Sequence, residues 1–336
     1  LRYEIFSRRG VKMETISFEL DGQAIDALPE ETILQAADRS GIADIPRLCY
    51  KKGYRSDGNC RSCVVEIEGE RVLAPSCCRH PQQGMKVNSK SERAIHSQKM
   101  VLELLLADMP ESGKSPYTPN SELDEWVEKL GLIKSRFSGR IQPVLDESHP
   151  AMSVNLDACI QCTRCVRACR EEQVNDVIGM AFRGSHSEIV FDLGDPMGDS
   201  TCVACGECVQ ACPTGALMPA NNVGLIKTDK KVESVCPYCG VGCLLSYYVK
   251  DGKLSYVEGR EGPANHQRLC VKGRFGFDYV HHKDRLKNPL IRRKNVPKIT
   301  KLLQPSDWQT VFREATWEEA LDFAARGFLN IRADTG

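Results

Sequence analysis

The sequence predicts a multidomain α+β protein made of several small modules that hold metal. Three observations indicate this class. The chain has 336 residues, which is enough for two or more domains. Short alternating patterns typical of strands are interspersed with helical patterns. The chain also contains 17 cysteines, mostly in closely spaced runs, and nothing marks it as secreted, so metal ligands are expected rather than disulfides.

Composition excludes several classes of partner. Lys and Arg together number 45, as do Asp and Glu, so the formal charge is zero and predicts no nucleic-acid partner. No apolar run is long enough to cross a membrane. Ser7-Arg8-Arg9 has no apolar segment after it, so we expect no export signal, and Met13 is a candidate start. The expected location is the reducing cytoplasm.

The first module has the layout of a β-grasp ferredoxin. The stretch ISFELDGQAID alternates around Asp21-Gly22 and predicts a hairpin. PEETILQAADRSG predicts a helix, with Pro29 near the first turn and Gly41 past the end. CVVEIEGERVLA predicts a second hairpin around Glu68-Gly69-Glu70.

The cysteines of this module predict a [2Fe–2S] cluster. The candidate ligands are Cys49, Cys60, Cys63 and either Cys77 or Cys78. The loop KKGYRSDGNCRSC is rich in glycine and small turn residues, which let backbone N–H groups approach cluster sulfurs and tune the potential. The gap between Cys49 and Cys60 is wider than in plant-type ferredoxins.

Two later runs form the one internal repeat of the sequence. Both have the spacing C-x2-C-x2-C-x3-C, in which three thiolates bind one [4Fe–4S] cluster and the fourth binds its neighbour. The prediction is one cluster on Cys159, Cys162, Cys165 and Cys212, and another on Cys169, Cys202, Cys205 and Cys208. Zinc is the alternative, but zinc sites favour separated C-x2-C pairs.

A last set has three close cysteines and one remote cysteine, which suits a single further [4Fe–4S] cluster. Its members are Cys236, Cys239, Cys243 and Cys270. Four, eight and four ligands make sixteen, so one of the 17 cysteines is spare. The spare is Cys77 or Cys78.

The order of these modules resembles known redox proteins. A [2Fe–2S] domain, a helix and a two-cluster ferredoxin are similar to the amino-terminal half of the large subunit of respiratory NADH dehydrogenase, and to the same region of iron-only hydrogenases. VCPYCGVGC, followed by GPANHQRLCVKGRFGFDYVHHKDRLKNPLIRR, resembles the opening domain of molybdopterin oxidoreductases. Together, residues 15–336 resemble the α subunit of cytoplasmic NAD-dependent formate dehydrogenases that use tungsten or molybdenum.

The resemblance implies a domain order and two residue roles. The domains are a β-grasp [2Fe–2S] domain (12–89), a helical linker (90–150), a two-[4Fe–4S] bacterial-type ferredoxin domain (151–228), and a [4Fe–4S] domain that opens a molybdopterin domain (229–336). Cys77 of APSCCRHP is implied as the fourth [2Fe–2S] ligand. Lys272, two residues after Cys270, is implied to bridge a cluster and the pterin and to relay electrons, since an ammonium stabilises a reduced anionic cluster.

One departure from the family concerns an additional cluster. Many members bind it through a His-Pro pair and three following cysteines. Here the helical stretch SERAIHSQKMVLELLLADMP leads to Met109-Pro110, and ESGKSPYTPN contains no cysteine. His96 lies upstream and lacks partners. We therefore expect the linker to lack this cluster.

The resemblance further implies a catalytic region beyond Gly336. TWEEALDFAARGFLNIRADTG predicts a helix capped by Thr316 and Glu319, and in the family this helix begins the large molybdopterin domain. The implied reaction oxidises formate to carbon dioxide at a bis-molybdopterin guanine dinucleotide with tungsten or molybdenum. The implied partner is a subunit that binds FMN and NAD and holds further clusters; the present sequence has no dinucleotide motif of its own. Alternatives are an electron-transfer subunit of a hydrogenase or an NADH dehydrogenase, another molybdopterin enzyme such as nitrate reductase, or a structural zinc protein.

Overall fold

A computed structural model describes residues 15–110, 121–141, 143–223, 227–298 and 308–335. The chain divides into two compact units, Leu1–Gly276 and Phe277–Gly336, and all 17 cysteines belong to the first. Among the described residues, no helix combines the length and apolar character that crossing a membrane requires.

The predicted first hairpin is confirmed. Strands β1 (Ile16–Leu20) and β2 (Gln23–Ala27) pair antiparallel along their whole length. Both turn residues have positive φ, 50° at Asp21 and 82° at Gly22. This conformation matches the right-handed twist of the two strands, which explains why an Asp-Gly pair stands there.

The predicted helix exists but begins later than expected. Helix α1 (Ile33–Ser40) is capped by Thr32, whose hydroxyl accepts from the Gln35 N–H while the Gln35 side chain accepts from the Thr32 N–H. Pro29 lies in a turn before the cap, so the helix is shorter than the predicted stretch, and this reciprocal capping box fixes its start. Gly41 ends the helix at φ 70°, as predicted.

Helix α1 packs on a five-stranded sheet. Three further strands complete it, namely β3 (Val64–Ile67), β4 (Ala74–Pro75) and β5 (Lys86–Asn88). The strand order is β2-β1-β5-β3-β4, and β1 and β5 run parallel. The predicted second hairpin is confirmed, but β4 pairs over only two residues and follows a loop through Gly69. Ile33 and Leu34 of α1 are fully buried against Leu20 and Val65 in one core.

The linker contributes two helices. Helix α2 (Glu92–Ala107) confirms the predicted helix and is capped by Ser91; helix α3 (Glu122–Lys129) follows after residues 111–120, which lie outside the described part. Gln98 of α2 is buried and donates to the Val64 carbonyl at 2.9 Å, which ties the linker to the sheet. The expected absence of a cluster at 111–120 therefore remains a prediction.

The segment with the repeated cysteine runs is built from short elements around a small core. They are β6 (Met152–Val154), a 3-10 helix (Leu156–Ala158), α4 (Arg164–Arg167), a π-helix (Ala168–Glu172), β7 (Ile178–Ala181), a 3-10 helix (Gly184–His186), β8 (Glu188–Phe191), α5 (Glu207–Ala211), β9 (Leu217–Pro219) and a 3-10 helix (Ala220–Asn222). Strand β6 pairs with β9, and β7 with β8. The first and last strands therefore meet and close the module.

The last segment of the first unit is a three-stranded antiparallel sheet followed by a short helix. Strands β10 (Lys230–Val235), β11 (Leu244–Lys250) and β12 (Lys253–Gly259) pair in sequence order, and α6 (Val271–Phe275) follows. The buried Asn265 amide donates to three backbone carbonyls, those of Leu244, Arg260 and Arg268. This side chain fixes the loop that leads to Cys270.

A 3-10 helix (Gly276–His281) begins at the last residue of the first unit. The described part of the second unit further contains β13 (Leu290–Arg292), α7 (Trp308–Val311), β14 (Phe312–Glu314) and α8 (Trp317–Thr335). Strands β13 and β14 pair antiparallel. The predicted start of α8 is confirmed, because the Glu319 N–H donates to the Thr316 hydroxyl at 3.2 Å.

One buried carboxylate joins three segments of the first unit. Glu207 on α5 is 1% exposed, and it accepts from the Tyr54 hydroxyl at 3.1 Å and from Nη2 of Arg274 at 2.9 Å. Tyr54 belongs to the loop between the first cysteines, and Arg274 to α6. Because both polar partners are also buried, the three segments must come together for the charge of Glu207 to be compensated.

We predict that Glu207→Gln destabilises the first unit by about 3–5 kcal/mol, because the substitution leaves the buried Arg274 charge without its carboxylate. Denaturant unfolding of the oxygen-protected protein measures the effect. The matched control is Asp176→Asn, which breaks the exposed Arg170–Asp176 pair and should cost at most about 1 kcal/mol. Equal unfolding midpoints for the two variants would contradict the role given to Glu207.

Candidate metal centres

The first cysteine group, called the Cys49 group, lies in the loops beside the five-stranded sheet. It consists of Cys49, Cys60, Cys63 and Cys77. Hydrogen-bond contacts between thiols join Cys49 to Cys60, Cys49 to Cys77, and Cys63 to Cys77. The backbone N–H of Cys49 also lies 3.4 Å from the Cys60 sulfur. The fold thus brings the four thiols into one connected set.

Hydrogen bonds between the thiols of this group lower the pKa of some members and raise the pKa of others. Hydrogen bonds from Cys60 and Cys77 lower the pKa of Cys49, and those same contacts with Cys49 raise the pKa of Cys60 and of Cys77. The hydrogen bond with Cys77 lowers the pKa of Cys63 to about 7. Because metal ligation requires thiolates, easy loss of the first protons favours metal binding here.

Cys78 differs from the four members of this group. It is exposed, and its sulfur lies 3.5 Å from the Cys77 sulfur, whereas Cys77 is fully buried. Gly58 lies directly against it, since a Cβ at Gly58 would come within 2.8 Å of the Cys78 sulfur. The geometry favours Cys77 as the ligand, and the assignment stays a prediction.

The second group, called the Cys159 group, consists of Cys159, Cys162, Cys165 and Cys212. All four line one pocket, whose other walls include Leu156, Ile160, Ile189, Ala216 and Leu217. Burial raises the pKa of Cys159 to about 11 and that of Cys162 to about 12, and the nearby Cys212 adds to both. Four thiols around an apolar pocket fit the environment of a buried [4Fe–4S] cluster.

The third group, called the Cys202 group, consists of Cys169, Cys202, Cys205 and Cys208. Burial raises the pKa of Cys208 well above its usual value, and the other three thiols add to the rise. The fold therefore brings Cys169 of the first run to the cysteines of the second run. Cys212 conversely lies with the first run, so the crossed arrangement that the spacing predicts is present in space.

The sequence repeat is also visible in the backbone. In the first run Gln161 has φ 55° and its N–H lies 3.4 Å from the Cys159 sulfur. In the second run Ala204 has φ 55° and its N–H lies 3.4 Å from the Cys202 sulfur. N–H groups aimed at sulfur stabilise a thiolate, so both runs present their first cysteine in the same way.

The fourth group, called the Cys236 group, consists of Cys236, Cys239, Cys243 and Cys270. The connection from β10 to β11 carries three of them, and the N–H of Cys236 donates to the Cys243 carbonyl at 2.8 Å. Cys270 directly precedes α6. Burial raises the pKa of Cys243, and the three other thiols raise it further. Lys272 is exposed on α6, beside this group.

Within the described residues, no three Cys, His, Asp or Glu side chains have the arrangement of a site for one metal ion. The four cysteine ligands of an iron–sulfur cluster are shared among two iron atoms in [2Fe–2S] and four in [4Fe–4S], so they do not converge on a single ion. The thiol contacts of the Cys49 group and the apolar pocket of the Cys159 group fit such clusters.

Sequence reasoning missed three buried arginines next to these groups. Arg164, Arg167 and Arg274 are only 2–3% exposed. Arg274 donates from Nε to the Cys205 carbonyl at 2.9 Å, and its own backbone N–H donates to the Cys270 carbonyl. Their positions in the sequence, inside or just after the cysteine runs, could have indicated this role. An anionic cluster in a buried site needs compensating positive charge nearby.

Three known domain families match the chain. They are the "2Fe-2S iron-sulfur cluster binding domain" over residues 13–92, the "4Fe-4S dicluster domain" over 158–216, and the "Molybdopterin oxidoreductase Fe4S4 domain" over 229–282. Each match contains one or two of the cysteine groups. The protein is therefore a multidomain α+β iron–sulfur protein with [2Fe–2S] and [4Fe–4S] domains.

Several relatives match almost the whole of this chain. An NADH-quinone oxidoreductase subunit of Rhizobium meliloti is 34% identical over 319 residues, which cover 92% of this chain and 35% of the relative. The alpha subunit of the NADPH-Fe(3+) oxidoreductase of Geobacter sulfurreducens is 32% identical, covering 89% and 34%. A putative formate dehydrogenase of Staphylococcus haemolyticus is 26% identical, covering 96% and 35%. The chain thus spans about a third of the length of these curated relatives.

A solved structure is similar as well. A chain of the NAD+-reducing [NiFe]-hydrogenase in its H2-reduced state is 30% identical, with a TM-score of 0.57, and the match covers 61% of this chain and 87% of that one. This chain belongs to the iron–sulfur family that comprises the amino-terminal region of this NADH-quinone oxidoreductase subunit and of the molybdopterin oxidoreductases.

Proposed function

We propose that this chain is the electron-transfer region of an NAD-dependent formate dehydrogenase catalytic subunit. The observation that carries the electron-transfer role is that the four cysteine groups follow one another in space, each joined to the next by a shared apolar core or by a bridging arginine. Clusters held by these groups would accept and release single electrons. The protein's own task is to hold the groups close together, shield them from water and set the charge around them.

The first contact joins the Cys49 and Cys159 groups. Cys49 and Cys162 belong to one apolar core, which also contains Leu48, Ile160 and Trp126. Linker helices α2 and α3 contribute to this core through Leu102 and Leu123. The linker therefore packs over the junction itself, which supports a direct passage between these groups without an additional cluster.

The second and third contacts complete the series. Cys165 of the Cys159 group lies close enough to Cys208 of the Cys202 group for the charge of Cys208 to raise the pKa of Cys165, and both belong to one core. Arg274 then joins the Cys202 group, through the Cys205 carbonyl, to the helix that follows Cys270. The resulting spatial order of the four groups is the Cys49 group, the Cys159 group, the Cys202 group and the Cys236 group.

The position of the Cys236 group supports its role at the catalytic end. It lies within the match to the molybdopterin oxidoreductase domain, and Lys272 stands exposed beside it. We propose that Lys272 bridges this group and a bis-molybdopterin guanine dinucleotide with tungsten or molybdenum, whose other ligands lie outside this chain. The Cys49 group, at the other end, would face a partner subunit that carries FMN, further clusters and the NAD site.

Formate as the substrate is supported by the opening motif VCPYCGVGC and by the putative formate dehydrogenases among the relatives. Other relatives favour a second candidate, since the matches to NADH-quinone and NADPH-Fe(3+) oxidoreductase subunits have higher identity. In that candidate the same series of groups would receive electrons from a nicotinamide cofactor.

A reductant comparison tests the substrate. The full-length protein and its partner subunits, purified without oxygen, would be mixed separately with formate, H2, NADH and NADPH, while the visible absorbance of the clusters is followed. We expect rapid bleaching by formate and, through the partner, by NADH. Bleaching by H2, or by a nicotinamide cofactor without any response to formate, would contradict the formate assignment and leave the electron-transfer role intact.

A pair of neighbouring cysteines tests the first cluster. Cys77→Ser is expected to remove the [2Fe–2S] signal from the electron paramagnetic resonance (EPR) spectrum of the reduced protein, and to keep the three [4Fe–4S] signals. Cys78→Ser is the matched control and should keep all four, because the Cys78 sulfur contacts the Cys77 sulfur but is exposed, whereas Cys77 is buried. The reverse pattern would show that Cys78 is the ligand.

A further inference from the structure

A buried arginine lies between the first two cysteine groups. Arg167 on α4 is 2% exposed. Its Nη2 atom donates to the carbonyl of Cys49 at 2.6 Å and to the carbonyl of Cys162 at 3.2 Å. A single nitrogen therefore contacts the backbones of two predicted ligands that belong to different clusters.

Polar side chains around Arg167 form a connected network of ion-pair and hydrogen-bond contacts. Its Nε lies 3.0 Å from a carboxylate oxygen of Asp57, in ion-pair contact though not aligned as a hydrogen bond. The same carboxylate accepts from the Thr163 hydroxyl at 3.2 Å, and Asn59 donates to Thr163 and to the Cys162 carbonyl. Side chains from the loop before Cys60 thus interlock with the turn that follows Cys162.

The positive charge of Arg167 also bears on the reduction potentials of the neighbouring clusters. A guanidinium stays protonated in proteins, and burial weakens the screening of its field by water. A positive charge beside an anionic cluster favours the state with one more electron, so it raises the reduction potential. Since Arg167 contacts both groups, its charge acts on both.

We propose that Arg167 is a positioning residue that fixes the spacing of the Cys49 and Cys159 groups and raises the reduction potential of the clusters held by both. The inference rests on the proposed electron-transfer function. No bond is made or broken at Arg167, and no proton moves. The residue acts through the carbonyls of Cys49 and Cys162 and through its charge.

Arg164 provides a matched control on the same helix. It is 3% exposed and its charge acts on Cys162. Its guanidinium forms two hydrogen bonds with Glu122, at 2.7 and 2.8 Å, and donates to the carbonyls of Tyr50 and Ala211. Arg164 thus shares the burial, the helix and the proximity to the Cys159 group, while its hydrogen bonds go to residues other than the ligand cysteines.

The experiment is a redox titration of the full protein followed by EPR. Arg167→Gln should lower the midpoint potentials of the [2Fe–2S] cluster and of one [4Fe–4S] cluster. Arg164→Gln should lower the [4Fe–4S] potential and should move the [2Fe–2S] potential much less than Arg167→Gln does. Asp57→Asn, which removes the negative partner of Arg167, should shift both potentials in the opposite direction, upward.

Arg167→Lys separates charge from position. Lysine keeps the positive charge but lacks the planar fork, so the potentials should stay near wild type while the spin–spin interaction between the two reduced clusters weakens. If Arg167→Gln fails to fold, this variant tests the role of Arg167 in cluster spacing, and Asp57→Asn tests its role in the reduction potentials.

Two results would overturn the inference. One is a [2Fe–2S] potential that does not change in Asp57→Asn or Arg167→Gln although the cluster signals persist. The other is an Arg164→Gln variant that moves the [2Fe–2S] potential as far as Arg167→Gln does. Absence of cluster signals in the wild-type protein would instead overturn the proposed function, and this inference with it.

Discussion

The compensation of buried positive charge is the constraint on which the rest of this structure depends. Arg167 and Arg274 are the two largest fully buried side chains among the residues that the structure describes, and burying a guanidinium is costly unless charge and hydrogen bonds compensate it. Arg167 forms an ion pair with Asp57 and donates hydrogen bonds to the carbonyls of Cys49 and Cys162. Arg274 forms an ion pair with Glu207 and donates to the Cys205 carbonyl. Each compensation is complete only when neighbouring segments are docked.

This arrangement links stability to function. The first unit has several small apolar cores rather than one large core, and cysteines take part in all three of the larger ones. Small modules of this kind gain little from burial alone. Polar contacts beside the ligands therefore hold the modules together, and the same contacts bring the cysteine groups into one series. A substitution at a junction should for this reason affect both folding and electron transfer.

The sequence predicted the parts of the structure that local chemistry determines. The Asp21-Gly22 hairpin, the end of α1 at Gly41 and the start of α8 at Thr316 follow from turn and cap preferences. The crossed grouping of the two runs, with Cys212 beside Cys159 and Cys169 beside Cys202, follows from their spacing. These features depend on only a few adjacent residues, or on the fixed geometry of a cluster.

The junctions were not predictable in the same way. Nothing local to Arg167 indicates that it reaches the carbonyl of Cys49, more than a hundred residues earlier in the chain. The start of α1 was misplaced because proline at the first turn and threonine at the cap are competing signals, and the Gln35 partner favoured Thr32. Long-range polar partners become visible only once the modules are docked.

The central claim is that four cysteine groups hold iron in four clusters. Chemical analysis of iron and acid-labile sulfide in the oxygen-protected protein tests it most directly. One [2Fe–2S] and three [4Fe–4S] clusters require about 14 irons and about 14 sulfides in the region covered by this chain. Zinc without labile sulfide, or iron well below that figure in fresh protein, would contradict the account.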